Sequence, residues 1–317
     1  MPPVDERLRL AERTMVALAD GSGELPPKIG VHPRPDGSFA HAMPAHLRAA
    51  DATGSRDLLG MKWIAGVPAN RAAGLPAIHG LVVLNDPLTG VPRAILDAGP
   101  ITAERTAAVS GVAIARFGPD PDAREPRVAI LGAGVQGRSH LEVVAHVLPG
   151  CRVVVFDRHP DRASELADAA ARTDGIAGAG TAATPRDATS GADVVITAAS
   201  FASPEQRQAM PVAWLAPAAL VVAVDYATYA SAGVARDAAL FVVDERGQFL
   251  ANRDAGQFDG YPDPAATLGE AILADLGRPA IGRVLVAHLG VGLADLVFGA
   301  AILGRAAERG LGTLLPR

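Results

Sequence analysis

The sequence predicts an α/β protein with a doubly wound parallel sheet in one domain and a second α+β domain built on a mixed sheet. Three observations predict it. Through the second half of the chain, short runs of Val, Ile and Leu alternate with helical-period segments, the β-then-α order that a parallel sheet requires. A G-x-G-x-x-G loop joins the first such strand to the first such helix. The first hundred residues read differently, as short apolar pieces punctuated by prolines and glycines, the pattern of irregular strands and turns.

Arg127 to Leu131 carries no charge after its first residue, as suits a strand buried on both faces. Gly132, Gly134 and Gly137 follow it. Leu141, Val144, Ala145 and Leu148 then fall at helical spacing, and Cys151 to Phe156 forms a second strand ending on Asp157. This is the Rossmann arrangement. Gly132 permits the tight turn, Gly134 lets backbone approach a pyrophosphate, and Gly137 lets the helix pack closely on the strand. Val135 and Gln136 lie at the helix N-terminus that would face the phosphates. Asp157 can accept both ribose hydroxyls, which favours NAD. Arg158 and His159 keep NADP open, since either could pair with a 2′-phosphate.

The 317 residues allow two domains of ordinary size. Aromatics make up only 4%, so the core must come from Ala, Val, Leu and Ile. The net charge of -5, with no block of like charge, argues against a nucleic-acid partner. The single cysteine, Cys151, can form no internal disulfide and suits a reducing cytosol. Acids and arginines in the first twenty residues argue against an export signal, and no apolar stretch is long enough for a membrane span, so a cytoplasmic protein is expected. No histidine pair shows metal-ligand spacing, and no metal is expected.

In the first hundred residues, Leu8, Ala11, Met15, Leu18 and Ala19 predict a helix that stops at Gly21. Leu81 to Leu84 and Val91 to Leu96, joined by NDPLTG, predict a hairpin. Thr102 is the expected N-cap of a helix with Arg105 in its first turn. The segment FGPDPDAREP predicts the boundary between residues 1–118, joined by 290–317, and a dinucleotide-binding domain at 119–289. By itself Lys62, in GMKWIAG, reads as an edge or snorkelling residue, and Arg105 as a surface cation.

The motifs AMPAHL, GMKWIAGVPAN, GLVVLNDPLTGVPRAILDAGPIT, ERTAAVSG, VAILGAGVQGRSHLEVV and HLGVGLADLVFGAAILGRAAERGLG together resemble the ornithine cyclodeaminase/mu-crystallin family. The resemblance implies an NAD(P)-dependent enzyme acting on an α-amino or α-imino acid by hydride transfer at Cα. It implies a homodimer formed through the substrate domains, and a small-molecule substrate whose carboxylate is held by Lys28, Lys62 and Arg105. Arg is suited to that task by its paired N–H donors. The resemblance also implies a catalytic acid at Asp225, which ends the strand LVVAVD and is placed for proton transfer alongside Lys62. Ala199, after the strand DVVIT, is expected beside the cofactor.

Departures from the ornithine-acting pattern bear on the substrate. Val-Asp-Tyr-Ala stands around Asp225 in place of Gly-Asp-Cys-Pro, and His41 occupies a position where ornithine-type sequences tend to have Glu. A distal ammonium would call for an acid there. An imine reductase or amino-acid dehydrogenase is therefore the leading expectation. A redox-neutral cyclodeaminase and a non-catalytic NAD(P)-binding protein are the alternatives. Asp244 and Glu245 read as solvated loop acids, and Asp295 as a solvent-facing or structurally paired acid, with a reach into the active-site cleft as the alternative. The apolar face from Val291 to Ile302 is too large for a surface helix of a nucleotide domain and predicts packing on the N-terminal domain.

Overall fold

The computed structural model describes residues 1–34, 37–50 and 53–315. The chain forms two compact units, Met1–Arg105 with Val291–Arg317, and Thr106–Gly290.

Unit one is built on an antiparallel sheet. Its elements are α1 (Val4–Asp20), β1 (Gly23–Glu24), β2 (Ile29–Val31), β3 (Phe39–Leu47), β4 (Leu58–Gly66), β5 (Ile78–Asn85), β6 (Pro92–Asp97), the start of α2 (Ala98–Phe117), and later α9 (Gly292–Glu308). The strand order is β1-β3-β4-β5-β6, with β2 also pairing with β3. Every described pairing is antiparallel, one of the two arrangements, mixed or antiparallel, that the short strands and turns of the sequence allow. The reason is local: β4, β5 and β6 follow one another with no crossover helix, so neighbours must run in opposite directions.

The predicted hairpin forms, with Val82 opposite Leu96 and Val83 opposite Ile95. Burial alternates along β3 and β4, so Met43, Ala45, Leu47, Lys62 and Ile64 share the core side. Helix α9 packs on that face, against β3, β4 and β5, and α1 packs on α9. Close approach is secured by Gly292, where a Cβ would lie 2.7 Å from the Met43 carbonyl oxygen. The apolar face read from Val291 to Ile302 thus finds its partner in this sheet.

The helix start expected at Thr102 lies one turn too late. Helix α2 begins at Ala98, its second residue donating N–H to Asp97 Oδ1 at 2.9 Å. Thr102 instead donates its hydroxyl to the Ala98 carbonyl within the helix. The Asp97 side chain serves the turn better than a hydroxyl five residues on.

Unit two is a parallel sheet. Its strands are β7 (Arg127–Leu131), β8 (Cys151–Phe156), β9 (Ile176–Thr181), β10 (Val194–Thr197), β11 (Leu220–Ala223), β12 (Leu240–Val243), β13 (Ala266–Thr267) and β14 (Val284–Ala287). Between them run α3 (Val135–Val147), α4 (Pro160–Ala171), α5 (Pro185–Thr189), α6 (Ala232–Asp237), α7 (Arg246–Asp254) and α8 (Leu268–Leu273). The order β9-β8-β7-β10-β11-β14-β12-β13 reverses direction at β7 and β10, the switch point at which doubly wound sheets bind ligands. The four inner strands β7, β10, β11 and β14 carry almost nothing but buried Val, Leu, Ile and Ala.

Two acids read as solvated are structural. Asp244 is buried, accepting the Gly290 N–H at 2.7 Å, and Glu245 caps α7 through the Gly247 and Gln248 amides. Phe258 and Tyr261 pack against Phe249 in the unit-two core.

Gly292→Ala should push α9 away from β3, because the colliding atom is backbone and cannot rotate aside. A loss of about 1–3 kcal/mol is expected, read as a lower thermal midpoint by circular dichroism.

Candidate active site

The two units each bring together one set of the residues singled out by the sequence. In unit two the set surrounds the glycine loop. Gly132 has φ +116°, and a Cβ there would meet the Ala198 carbonyl oxygen at 2.4 Å, so the ends of β7 and β10 cross too closely for any side chain. At Gly137 a Cβ would fall 2.1 Å from the Gly132 carbonyl oxygen, which explains why helix and loop require glycine.

Gly134 is different: its chain neighbours apart, no atom of the described residues lies within 4 Å of its would-be Cβ. Packing does not demand glycine there, whereas approach of a pyrophosphate to the backbone does. Gly134 is also the N-cap of α3, whose first turn has neither a side-chain cap nor an acid. An uncapped helix start with Val135 and Gln136 as its first residues suits an anion. Asp157 Oδ2 accepts the Ala133 N–H at 2.8 Å and Oδ1 the His159 N–H at 2.9 Å. Those two bonds leave lone pairs for ribose hydroxyls. Arg158 and His159 are exposed. These residues fit a dinucleotide.

Helix α3 is fixed by a buried polar chain that the sequence did not suggest. His140 bonds the Gln136 carbonyl oxygen through Nδ1 and the Ser110 hydroxyl through Nε2, and that hydroxyl bonds His288 Nε2 at 2.9 Å. Burial pushes the His140 imidazole down to about 4, so it is neutral near pH 7.

Asp225 lies after β11, on the carboxyl side of the sheet. Thr197 donates to its Oδ1 at 2.6 Å and the Ala199 N–H to its Oδ2 at 3.2 Å, tying the ends of β10 and β11 together. Its carboxyl is wholly buried, which pushes it up to about 7 against the pull of these hydrogen bonds. Tyr226 beside it adopts φ 58°, a conformation costly for a bulky residue, and stacks on Phe258.

In unit one, Lys62 is neither an edge nor a snorkelling residue. It stands on the central strand β4 between Met43 and Val82, only 1% exposed. Its ammonium donates to Asp295 Oδ1 at 2.9 Å, and Arg105 Nε donates to the same oxygen at 3.2 Å. Arg105 is buried on α2, next to Glu104, which is paired with Arg7 of α1. Burial and the nearby Arg105 pull Lys62 down to about 8, while Asp295 holds it up.

Lys28 is half-buried in the segment before β2, and its charge acts on both Lys62 and His41. Burial first, then Lys28 and His32, holds His41 below the ordinary imidazole range. The structure thus places Lys62 and Arg105 on one atom, with Lys28 near enough to be felt. The organiser of that cluster is Asp295, an acid the sequence allowed to be structurally paired but whose partners, one of them 233 residues away, it did not identify.

Residues 3–256 match the model of the ornithine cyclodeaminase/mu-crystallin family. The chain belongs to that family. One relative, the nodulation efficiency protein NfeD of Rhizobium meliloti, is 33% identical over 99% of this chain and 94% of its own. Another, the Delta(1)-pyrroline-2-carboxylate reductase 2 of Burkholderia ambifaria, is 32% identical over 46% of this chain and 44% of its own. Among solved structures, the Delta(1)-pyrroline-2-carboxylate reductase of Thermococcus litoralis, in complex with NADH and L-proline, aligns with a TM-score of 0.84. That alignment has 25% identity and covers 99% of this chain and 96% of that one. Among the described residues no helix is long and apolar enough to cross a membrane, and no cluster of His, Cys, Asp or Glu is placed to hold a metal ion.

The buried carboxyl of Asp225 makes a pH signature. A folded-state value of about 7, above that of an unfolded aspartate, means the folded state keeps a proton that the unfolded chain loses. Stability from this group therefore falls as pH rises between about 4 and 7 and is level above that. Asp225→Asn should remove this slope. The variant's thermal midpoint minus that of the wild type should climb from pH 4 to pH 7 and then flatten; a constant difference would contradict the burial of an ionisable group there.

Proposed function

We propose that this chain is an NAD(P)-dependent oxidoreductase that reduces an α-imino acid, or runs the reverse oxidation of an α-amino acid, by hydride transfer at Cα. The observation that carries the reading is the convergence of Lys62 and Arg105 on a single carboxylate oxygen in the interior of unit one. Two buried cations so arranged form a receptor for carboxylates, and the guanidinium can hold one with parallel hydrogen bonds. Lys28 adds a third positive charge to the same neighbourhood. Membership of a family whose relatives include pyrroline-carboxylate reductases supports the substrate class.

NAD(P)H, when bound, supplies the hydride. The residues of this chain do the rest. Gly132, Gly134, Gly137, Val135 and Gln136 receive the pyrophosphate on the helix start. Asp157 takes the ribose hydroxyls, which favours NAD, and Arg158 provides the route by which a 2′-phosphate is tolerated. Lys62 and Arg105 fix the substrate carboxylate and with it the orientation of Cα. Lys62 uses one of its three donors on Asp295, and with a value of about 8 it is matched to proton exchange with the substrate nitrogen near neutral pH. Asp225 enters this reading through the loop it holds. Thr197 and the Ala199 N–H each donate to one of its oxygens, so it holds Ala199 at the end of β10 and keeps lone pairs free for proton exchange.

Cyclodeamination of ornithine fits less well. His41, held mainly neutral by its burial and by Lys28 and His32, cannot balance a distal ammonium as an acid would. The same reading takes the protein as a cytoplasmic homodimer built through unit one. Exposed Trp63, Leu81 and Ile95 on β4, β5 and β6 give that unit an apolar sheet surface of the kind that oligomers cover.

Cyclic and acyclic α-imino acids offered with NADH and with NADPH should oxidise the cofactor, NADH the faster. Release of ammonia from a diamino acid with no net cofactor change would overturn the reductase reading. Arg105→Lys keeps the charge but loses the fork, and should lower kcat/KM by about 10- to 100-fold, chiefly through KM.

A further inference from the structure

Asp295 is unused by the reaction just described, yet it is the best-placed acid in unit one. It lies in the first turn of α9, wholly buried, where the helix dipole favours a negative charge. Gly292 seats that turn against β3, and the seating delivers the carboxylate to Lys62 on the next strand. Oδ1 receives both Lys62 Nζ and Arg105 Nε, while Oδ2 is buried with no hydrogen-bond partner among the described residues. A carboxylate oxygen left so is costly, and a fold that needed only a filler could place an apolar side chain there. Among the described residues, the charged groups acting on Lys62 are Asp295 on α9, Arg105 on α2 and Lys28 before β2, one acid set among three cations.

We propose that Asp295 is the positioning residue of the substrate-carboxylate receptor: by binding Lys62 and Arg105 through one oxygen it fixes their spacing, and by its charge it keeps Lys62 protonated, leaving the trio with one net positive charge to match one carboxylate. Arg105 engages Asp295 only through Nε, so the pair of terminal nitrogens stays out of that bond. Two cations with no anion between them would instead drive the lysine toward its neutral form, since burial already lowers it. This inference rests on the proposed function and adds to it the group that sets both the geometry and the pH range of substrate capture.

The test is binding of pyrrole-2-carboxylate to the full chain by isothermal titration calorimetry between pH 6 and pH 9.5. This planar probe carries no amine to titrate in that range. The wild type should bind with an affinity that declines above about pH 8, as Lys62 deprotonates. Asp295→Asn should bind comparably at pH 6 but begin its decline about one pH unit or more lower, and the alkaline limb of kcat/KM should move with it. Asp295→Glu keeps the charge and displaces it. It should leave the limb in place and weaken binding by about tenfold or more at every pH, which keeps the proposal testable if the Asn variant fails to fold.

An Asn variant whose limb stays at the wild-type pH, or a Glu variant that binds like wild type, would overturn the role of Asp295 while leaving the carboxylate receptor standing. Absence of binding by the wild type itself would overturn the receptor, and the proposed function with it.

Discussion

The ion trio of unit one is the constraint on which the rest of that unit depends. Burying a lysine on the central strand of a sheet is costly unless an acid meets it, and the acid must arrive with good geometry or the pair destabilises. Here the acid comes from the far end of the chain. Helix α9 has to return to the sheet that the first hundred residues build, and it has to approach closely enough that only glycine serves at position 292. The small and apolar residues along α9 and the alternation on β3 and β4 are consequences of that seating. Removing one member of such a trio typically costs about 3–5 kcal/mol, more than an exposed ion pair on either unit would contribute.

Unit two solves a parallel problem with a different device. Its loops at the carboxyl ends of β7, β10 and β14 are held by carboxylates that accept backbone amides: Asp157 takes Ala133, Asp225 takes Ala199, and Asp244 takes Gly290. Each acid follows a strand and reaches a neighbouring loop. Rigid strands thereby fix the glycine loop and the segment after β10, which is the preorganisation that binding a flexible dinucleotide requires. The strained backbone at Tyr226 and the near-neutral value of Asp225 lie at the same end of the sheet, where strain and perturbed titration tend to accompany function.

Local patterns made much of this legible. The strands Arg127–Leu131 and Cys151–Phe156 stand where their branched residues placed them, because both faces are buried and no alternative period competes. Strand β9, IAGAGT, was not legible: at the edge of the sheet it needs few branched residues, and Gly and Ala leave no period to read. Strand β14 was passed over because four apolar residues between loops say nothing about insertion between β11 and β12, which is set by tertiary packing. Lys62 and Arg105 stood out locally as cations, but, like Asp225, they drew an expected site role from the resemblance. Asp295 was legible as an acid that could be structurally paired, but its pairing depended on two cations remote in sequence. Asp244 misled because a polar residue after a strand looks solvated until the loop that covers it is known.

The central claim is that a substrate carboxylate binds where Lys62 and Arg105 converge, with Asp295 holding them in place. A crystal structure of the protein with an α-imino acid analogue bound tests this most directly. The account predicts the analogue's carboxylate within hydrogen-bond distance of Lys62 Nζ and the terminal nitrogens of Arg105, while Asp295 still bridges the two side chains. A carboxylate bound away from both cations, or one that displaces Asp295 from them, would contradict it.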